Sequence, residues 1–233
     1  MMQEKEKNKI GVIGGMGPYA AIDFCKLILQ LSPSTKENEL PIVHLINDPT
    51  LPSRNRAFLY EERSPADDIK EIFLQLRQLG CNLAVLPCNS AHYFVSAEII
   101  PDGLQFVNIV DVTLEKILSL GVSSVSIFGA EIATGSGLYK DKFEDSDLLV
   151  NFPNKEQFKI IRKAIDAVKE NADLTISSLE ISLLVEQKKK EGVEIIIFAC
   201  TELQALNLKP PLQDFIVDST AEYAKKVVDL YYS

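Results

Sequence analysis

Leu83-Ala84-Val85-Leu86-Pro87-Cys88-Asn89-Ser90 and Ile195-Ile196-Ile197-Phe198-Ala199-Cys200-Thr201-Glu202 are two versions of one arrangement, 112 residues apart. Each is a short, continuous apolar run that delivers a cysteine followed by an amide or hydroxyl side chain. Each also follows a helical stretch that ends at a glycine, Gly80 or Gly192, eight residues before the cysteine. An unbroken apolar run of this length, bounded by turn signals, is the pattern of a strand buried on both faces, as in a parallel sheet covered by helices. Gly14 precedes Cys88 by 74 residues and Gly129 precedes Cys200 by 71, so the same spacing recurs in both halves. The chain reads as a duplication.

Working outward, apolar runs alternate with helical stretches. Residues 10–13 read as a first strand, followed by Gly14-Gly15-Met16-Gly17-Pro18 and a helix over about 19–31. Residues 42–46 read as the next strand, 47–56 as a loop and 65–79 as a helix. After a strand at 106–110 the order begins again, with a helix at 113–120, a strand at 125–128 and a turn-rich stretch at 129–137. Helices around 157–170 and 177–190 then precede the strand that ends at Cys200. The closing unit, 215–220 and its helix to 232, echoes 106–113 and the helix after it. The predicted fold class is α/β, two similar domains related by pseudo-two-fold symmetry, each a parallel sheet flanked by helices. Residues 1–104 with 216–233 make the expected N-terminal domain and 105–215 the C-terminal one. Open α/β sheets bind ligands at the carboxyl ends of their strands, so facing domains bring both cysteines to one cleft.

Bulk properties narrow the function. With 233 residues, 46% hydrophobic and 24% charged, the chain can bury an ample core. Its net charge of −9 argues against nucleic acid and against an anionic membrane surface. An anionic ligand must therefore be held by local cations. The charged opening, 1–9, lacks the apolar segment of a signal peptide, and no run approaches transmembrane length. Four irregularly spaced cysteines without a C-x-x-C pair fit neither a disulfide framework nor a zinc site, so reduced thiols in the cytoplasm and no metal are expected. The glycines at 14–17 do not form G-x-G-x-x-G and no P-loop lysine follows, which argues against a dinucleotide or nucleoside triphosphate.

Two thiols on equivalent strand ends fit proton transfer at a stereocentre. Cysteine ionises ordinarily near pH 8.5, and helix N-termini or cations can bring it towards neutrality, so one residue type can serve as thiolate base and thiol acid. A reaction that runs equally well in both directions needs a base and an acid on opposite faces of one carbon. A helix starting after each cysteine, near Ser90 and Thr201, is expected to favour the thiolate.

Ile10-Gly11-Val12-Ile13-Gly14-Gly15-Met16-Gly17-Pro18, Pro87-Cys88-Asn89-Ser90-Ala91-His92 and Cys200-Thr201-Glu202 together resemble the aspartate/glutamate racemase family over nearly the whole chain. The resemblance implies a cofactor-independent, cytoplasmic homodimer acting on a small acidic amino acid, with Cys88 and Cys200 as paired acid and base. It is nearest to the aspartate racemases, because the last motif reads Cys-Thr-Glu where glutamate racemases usually have Cys-Thr-His. It further implies substrate contacts from Met16 in the glycine-rich turn and from Asn89, Ser90, Thr201 and Glu202 beside the cysteines. Arg54 and Lys169 match the family's cations and would pair with the side-chain carboxylate. Ser90 stands where threonine is usual, and Glu131 lies in a turn where a second carboxylate would repel an acidic substrate.

Other readings stay open. A cysteine hydrolase needs Cys88 or Cys200 beside His44 or His92, and His92 is four residues from Cys88. One-cysteine decarboxylase or isomerase chemistry, and a non-catalytic amino-acid binder, use the same fold but leave one or both thiols unexplained. Cys25 and Cys81 read as core, and Lys188-Lys189-Lys190 as an exposed helix end.

Overall fold

The computed structural model describes residues 8–144, 146–206 and 208–233. The charged opening read above lies, up to residue 7, outside the described residues. The first half runs β1 (Lys9–Gly14), α1 (Pro18–Leu31), β2 (Ile42–Asn47), α2 (Arg54–Tyr60), α3 (Ala66–Gln78), β3 (Leu83–Val85), β4 (Gln105–Phe106) and α4 (Ile109–Ser119). The second runs β5 (Ser124–Gly129), α5 (Glu131–Gly135), α6 (Lys140–Phe143), β6 (Leu149–Asn151), α7 (Lys155–Lys169), α8 (Thr175–Lys190), β7 (Ile195–Ala199), β8 (Ile216–Asp218) and α9 (Ser219–Tyr232).

Two four-stranded sheets result, ordered β2-β1-β3-β4 and β6-β5-β7-β8, with every pairing parallel. Parallel neighbours need crossovers, and the helices that supply them cover both faces, which is why β3, β5 and β7 are wholly buried. In each sheet the chain steps from its first strand to one side and then returns to the other. The crevice at that reversal lies beyond the carboxyl ends of β1 and β3, and again of β5 and β7, where doubly wound sheets receive their ligands.

One core joins the halves. Ile10, Val12 and Val85 of the first sheet, Val125, Ile127 and Ile197 of the second, and Tyr223 and Val227 of α9 belong to a single buried cluster. Helix α9 packs on both α1 and α4.

Gln105–Phe106 pairs with β3 in the first sheet and Ile216–Asp218 with β7 in the second, so strand pairing crosses the expected cuts at 104/105 and 215/216. The cause is the free edge of each cysteine strand, whose backbone groups pair with the next extended segment whichever half supplies it. The loop expected over 47–56 gives way at Arg54 to α2, started by the Ser53 hydroxyl accepting the N–H of Arg56. Strand β6 was too short to stand out. Lys188 is 3 % exposed, with its ammonium on Asn151 Oδ1 (2.8 Å) and Glu191 (2.9 Å), so this lysine is a buried tie between α8 and β6 rather than an exposed helix end.

The glycine-rich turn has a steric reason. Gly15 has φ +96°, and a Cβ there would run into the backbone carbonyl of Asp48. At Gly17 a Cβ would stand 3.1 Å from Glu202 Oε1, so the turn of the first half closes directly against the Cys200 segment of the second.

Candidate active site

The two cysteines leave their strands in the same way. The carbonyl of Cys88 accepts the N–H of Ala91 and that of Cys200 the N–H of Leu203, both at 3.1 Å. Tight turns of 3-10 helix follow, over Asn89–Phe94 and Thr201–Leu206, in place of the expected α-helices. Both thiols line one cavity of about 330 Å³, a size that admits a small molecule such as an amino acid. The predicted contacts Met16, Arg54, Asn89 and Ser90 reach it from the first half, and Lys169, Thr201 and Glu202 from the second. Cys25 and Cys81 pack in the hydrophobic clusters, and burial pushes the Cys25 thiol up to about 11.

Four cationic side chains meet two carboxylates on the cavity wall: Arg54, Arg56, Arg162 and Lys169 against Glu131 and Glu202. Their availability differs. Arg56 is held by both oxygens of Glu62, at 2.8 and 2.5 Å. Arg162 is neutralised by Glu131 (2.5 Å) and Asp166 (2.9 Å). Arg54 hydrogen-bonds backbone carbonyls, Pro52 at 2.8 Å and Met16 at 3.4 Å, which orient the guanidinium without cancelling its charge. Lys169 stands 4.0 Å from Glu202.

Glu131, read from sequence as a repulsive carboxylate, is therefore already occupied. Arg162 takes one oxygen and Asn55 Nδ2 donates to the other at 2.8 Å. Neither Arg162 nor Asn55 stood out in the sequence. For Arg162 a signal existed: it lies seven residues before Lys169, two helical turns along the same face of α7.

Around Cys200 the electrostatics oppose the expectation of a thiol drawn towards neutrality. Burial, the main cause, and the neighbouring Glu202 carboxylate push the Cys200 thiol well above its ordinary value, against a smaller downward pull from Lys169. The thiol donates to Glu202 Oε2 at 2.9 Å, and the Thr201 hydroxyl donates to the same oxygen at 3.2 Å. Cys200 thus holds its proton at neutral pH, with an acceptor in place for it. The Asn89 carboxamide, expected to face a ligand, is engaged internally: Tyr139 donates to its Oδ1 at 2.5 Å and its Nδ2 donates to Ser219 at 3.0 Å.

His92 does not face Cys88. Its Nε2 is 3.0 Å from the Leu86 carbonyl, which fixes the proton on that nitrogen, and burial holds the imidazole down to about 4. His44 lies on β2 and does not line the cavity. Because the folded value of His92 lies below the ordinary 6.5, the unfolded chain takes up the proton first as pH falls. The stability it contributes is complete above about pH 6.5 and is lost as pH falls through 4, on the order of 3 kcal/mol in all. Asp218, held up to about 6 by burial, acts with the opposite sign in the same range. The difference between wild type and His92→Gln isolates the histidine: urea unfolding from pH 7 to 4.5 is expected to show a shallower loss of stability in the variant.

Among the described residues no helix is long and apolar enough to cross a membrane. The sequence profile described as Asp/Glu/Hydantoin racemase matches residues 13–227. The broad specificity amino-acid racemase RacX of Bacillus subtilis is 25% identical over 229 residues, covering 95% of this chain and 97% of that protein. Among solved structures, the aspartate racemase of Picrophilus torridus superposes with a TM-score of 0.85 at 25% identity, covering 97% of this chain and 95% of that one. A glutamate racemase isoform from Bacillus anthracis shares the fold with a TM-score of 0.68 at 16% identity, over 97% of this chain and 82% of its own.

Proposed function

Since the chain belongs to the Asp/Glu/hydantoin racemase family, we propose that it interconverts the enantiomers of an acidic amino acid, aspartate before glutamate, by a two-base reaction that uses Cys88 and Cys200 and no cofactor. The observation that carries this reading is that both thiols line one small cavity from equivalent strand ends. One cysteine, as thiolate, takes the α-proton; the C–H electron pair stays on the substrate as an enolate-like carbanion. The other cysteine gives its thiol proton to the opposite face. The product is the mirror image, and the two sulfurs have exchanged protonation states.

The roles follow from the surroundings. Glu202 accepts a hydrogen bond from the Cys200 thiol and so orients it as the acid, and Lys169 offsets the charge when that sulfur is the thiolate. Ser90 and Thr201 offer hydroxyls to the α-carboxylate and α-ammonium. Arg54 and Lys169 are the cations left to meet a side-chain carboxylate, because Arg56 and Arg162 are already paired with acidic residues. The buried, carbonyl-bonded His92 speaks against a cysteine hydrolase.

The test is incubation in heavy water with each enantiomer of aspartate, of glutamate and of alanine as a neutral control. Deuterium should enter the α-position of both aspartate enantiomers, with optical activity decaying to zero, and enter alanine far more slowly. Absence of α-exchange from every amino acid would remove the racemase reading. Equal rates on alanine and aspartate would remove the acidic substrate.

A further inference from the structure

We propose that α9 fixes the spacing of the two thiols, with Ser219 and Tyr223 as positioning residues; this rests on the two-cysteine reading above. The two side chains are four residues apart, one turn along the same face, and both are fully buried. The Tyr223 hydroxyl accepts the N–H of Leu86 at 3.0 Å and donates to the carbonyl of Val107 at 2.6 Å. Leu86 is two residues before Cys88. Ser219 Oγ donates to the carbonyl of Phe198 at 2.7 Å, two residues before Cys200. The same oxygen accepts from Asn89, the residue after Cys88. One helical turn therefore grips the approach to each cysteine, and one hydroxyl touches both thiol-bearing segments.

These bonds answer a local need. The β3 ladder stops at Val85, and Leu86 is fully buried, so its N–H would be orphaned without the Tyr223 hydroxyl. Hydrophobic packing alone would satisfy neither that donor nor the carboxamide of Asn89. A carbon flanked by two acid-base groups is sensitive to their separation, since a misplacement of about 1 Å can cost ~100-fold in rate.

The grip is asymmetric, which gives it a signature. Tyr223 holds only the Cys88 strand, whereas Ser219 holds both segments. Loosening Cys88 raises the barrier on one face of the substrate alone. The α-deuterium isotope effect on kcat/KM must then rise for the enantiomer whose proton Cys88 removes, and fall for the other, whose own step has become less limiting.

The experiment measures kcat/KM for both enantiomers of aspartate, with α-hydrogen and α-deuterium, in wild type, Tyr223→Phe, Tyr139→Phe and Ser219→Ala, with folding checked by circular dichroism. Tyr223→Phe should lower kcat/KM about tenfold or more and split the two isotope effects in opposite directions. Tyr139→Phe, which removes the bond to Asn89 together with the hydroxyl's interactions with Thr113 and Ser219, should split them in the same sense by less, and it carries the test if Tyr223→Phe does not fold. Ser219→Ala should lower kcat/KM while moving both isotope effects the same way. Isotope effects that move together in the folded tyrosine variants, or rates within about twofold of wild type, overturn the proposal. Failure of the wild type itself to exchange α-protons would instead overturn the racemase reading.

Discussion

Replacing Cys200 by serine is expected to stop racemisation, by about 1,000-fold or more, while one enantiomer still exchanges its α-proton with solvent. The surviving Cys88 can remove a proton and return one to the same face, but nothing then delivers a proton to the opposite face. A serine hydroxyl is a far weaker acid than a thiol and does not replace it. The complementary variant, Cys88→Ser, should behave differently, because Cys200 is the thiol that burial and Glu202 hold well above its ordinary value. Its residual exchange, confined to the other enantiomer, should be slower near pH 7. It should also climb with pH, since below its ionisation point the thiolate fraction grows about tenfold per pH unit. Proton NMR of the α-position in heavy water at pH 7, 8 and 9, with polarimetry alongside, reads both properties. Exchange of both enantiomers by either single variant would mean that a base other than the missing cysteine serves that face.

That asymmetry marks the limit of what sequence shows. The strand runs at 83–86 and 195–198 are continuous and apolar because they are buried on both faces, so the two sheets and the position of each thiol at a strand end were legible. Which sheet the two parallel edge strands join was not legible, because it depends on which free edge they pair with, a property of the folded sheet. Helix α2, about two turns of mixed residues, has too little periodicity to register, yet it brings Arg54 and Asn55 to the cavity. Glu131 looked repulsive in isolation; its partner Arg162 lies 31 residues away in the chain and meets it only across α5 and α7. Cys200 was expected to favour the thiolate because a helix N-terminus was read just after it, while its burial and the carboxylate two residues on pull the other way.

Arg54→Ala is expected to lower kcat/KM for aspartate by about 100-fold while changing the slow turnover of alanine by less than about threefold, because truncating one partner of a charge-assisted pair typically costs several kcal/mol. Arg54→Lys should recover little, since the planar guanidinium is oriented by two backbone carbonyls in a way that the single-nitrogen ammonium of lysine cannot reproduce. Lys169 has two possible duties that the same assay separates. It stands 4.0 Å from Glu202, and its charge draws the Cys200 proton down, so Lys169→Met should push that thiol still higher and slow every substrate alike. If it also meets the side-chain carboxylate, aspartate must suffer beyond the loss seen with alanine. The expected result is a loss for both, larger for aspartate, with the alanine loss diminishing as pH is raised and the aspartate excess persisting. An alanine rate that is unchanged would confine Lys169 to the substrate's carboxylate. Equal losses on the two substrates would confine it to the thiol, and Arg54 would then be the cation that selects an acidic amino acid.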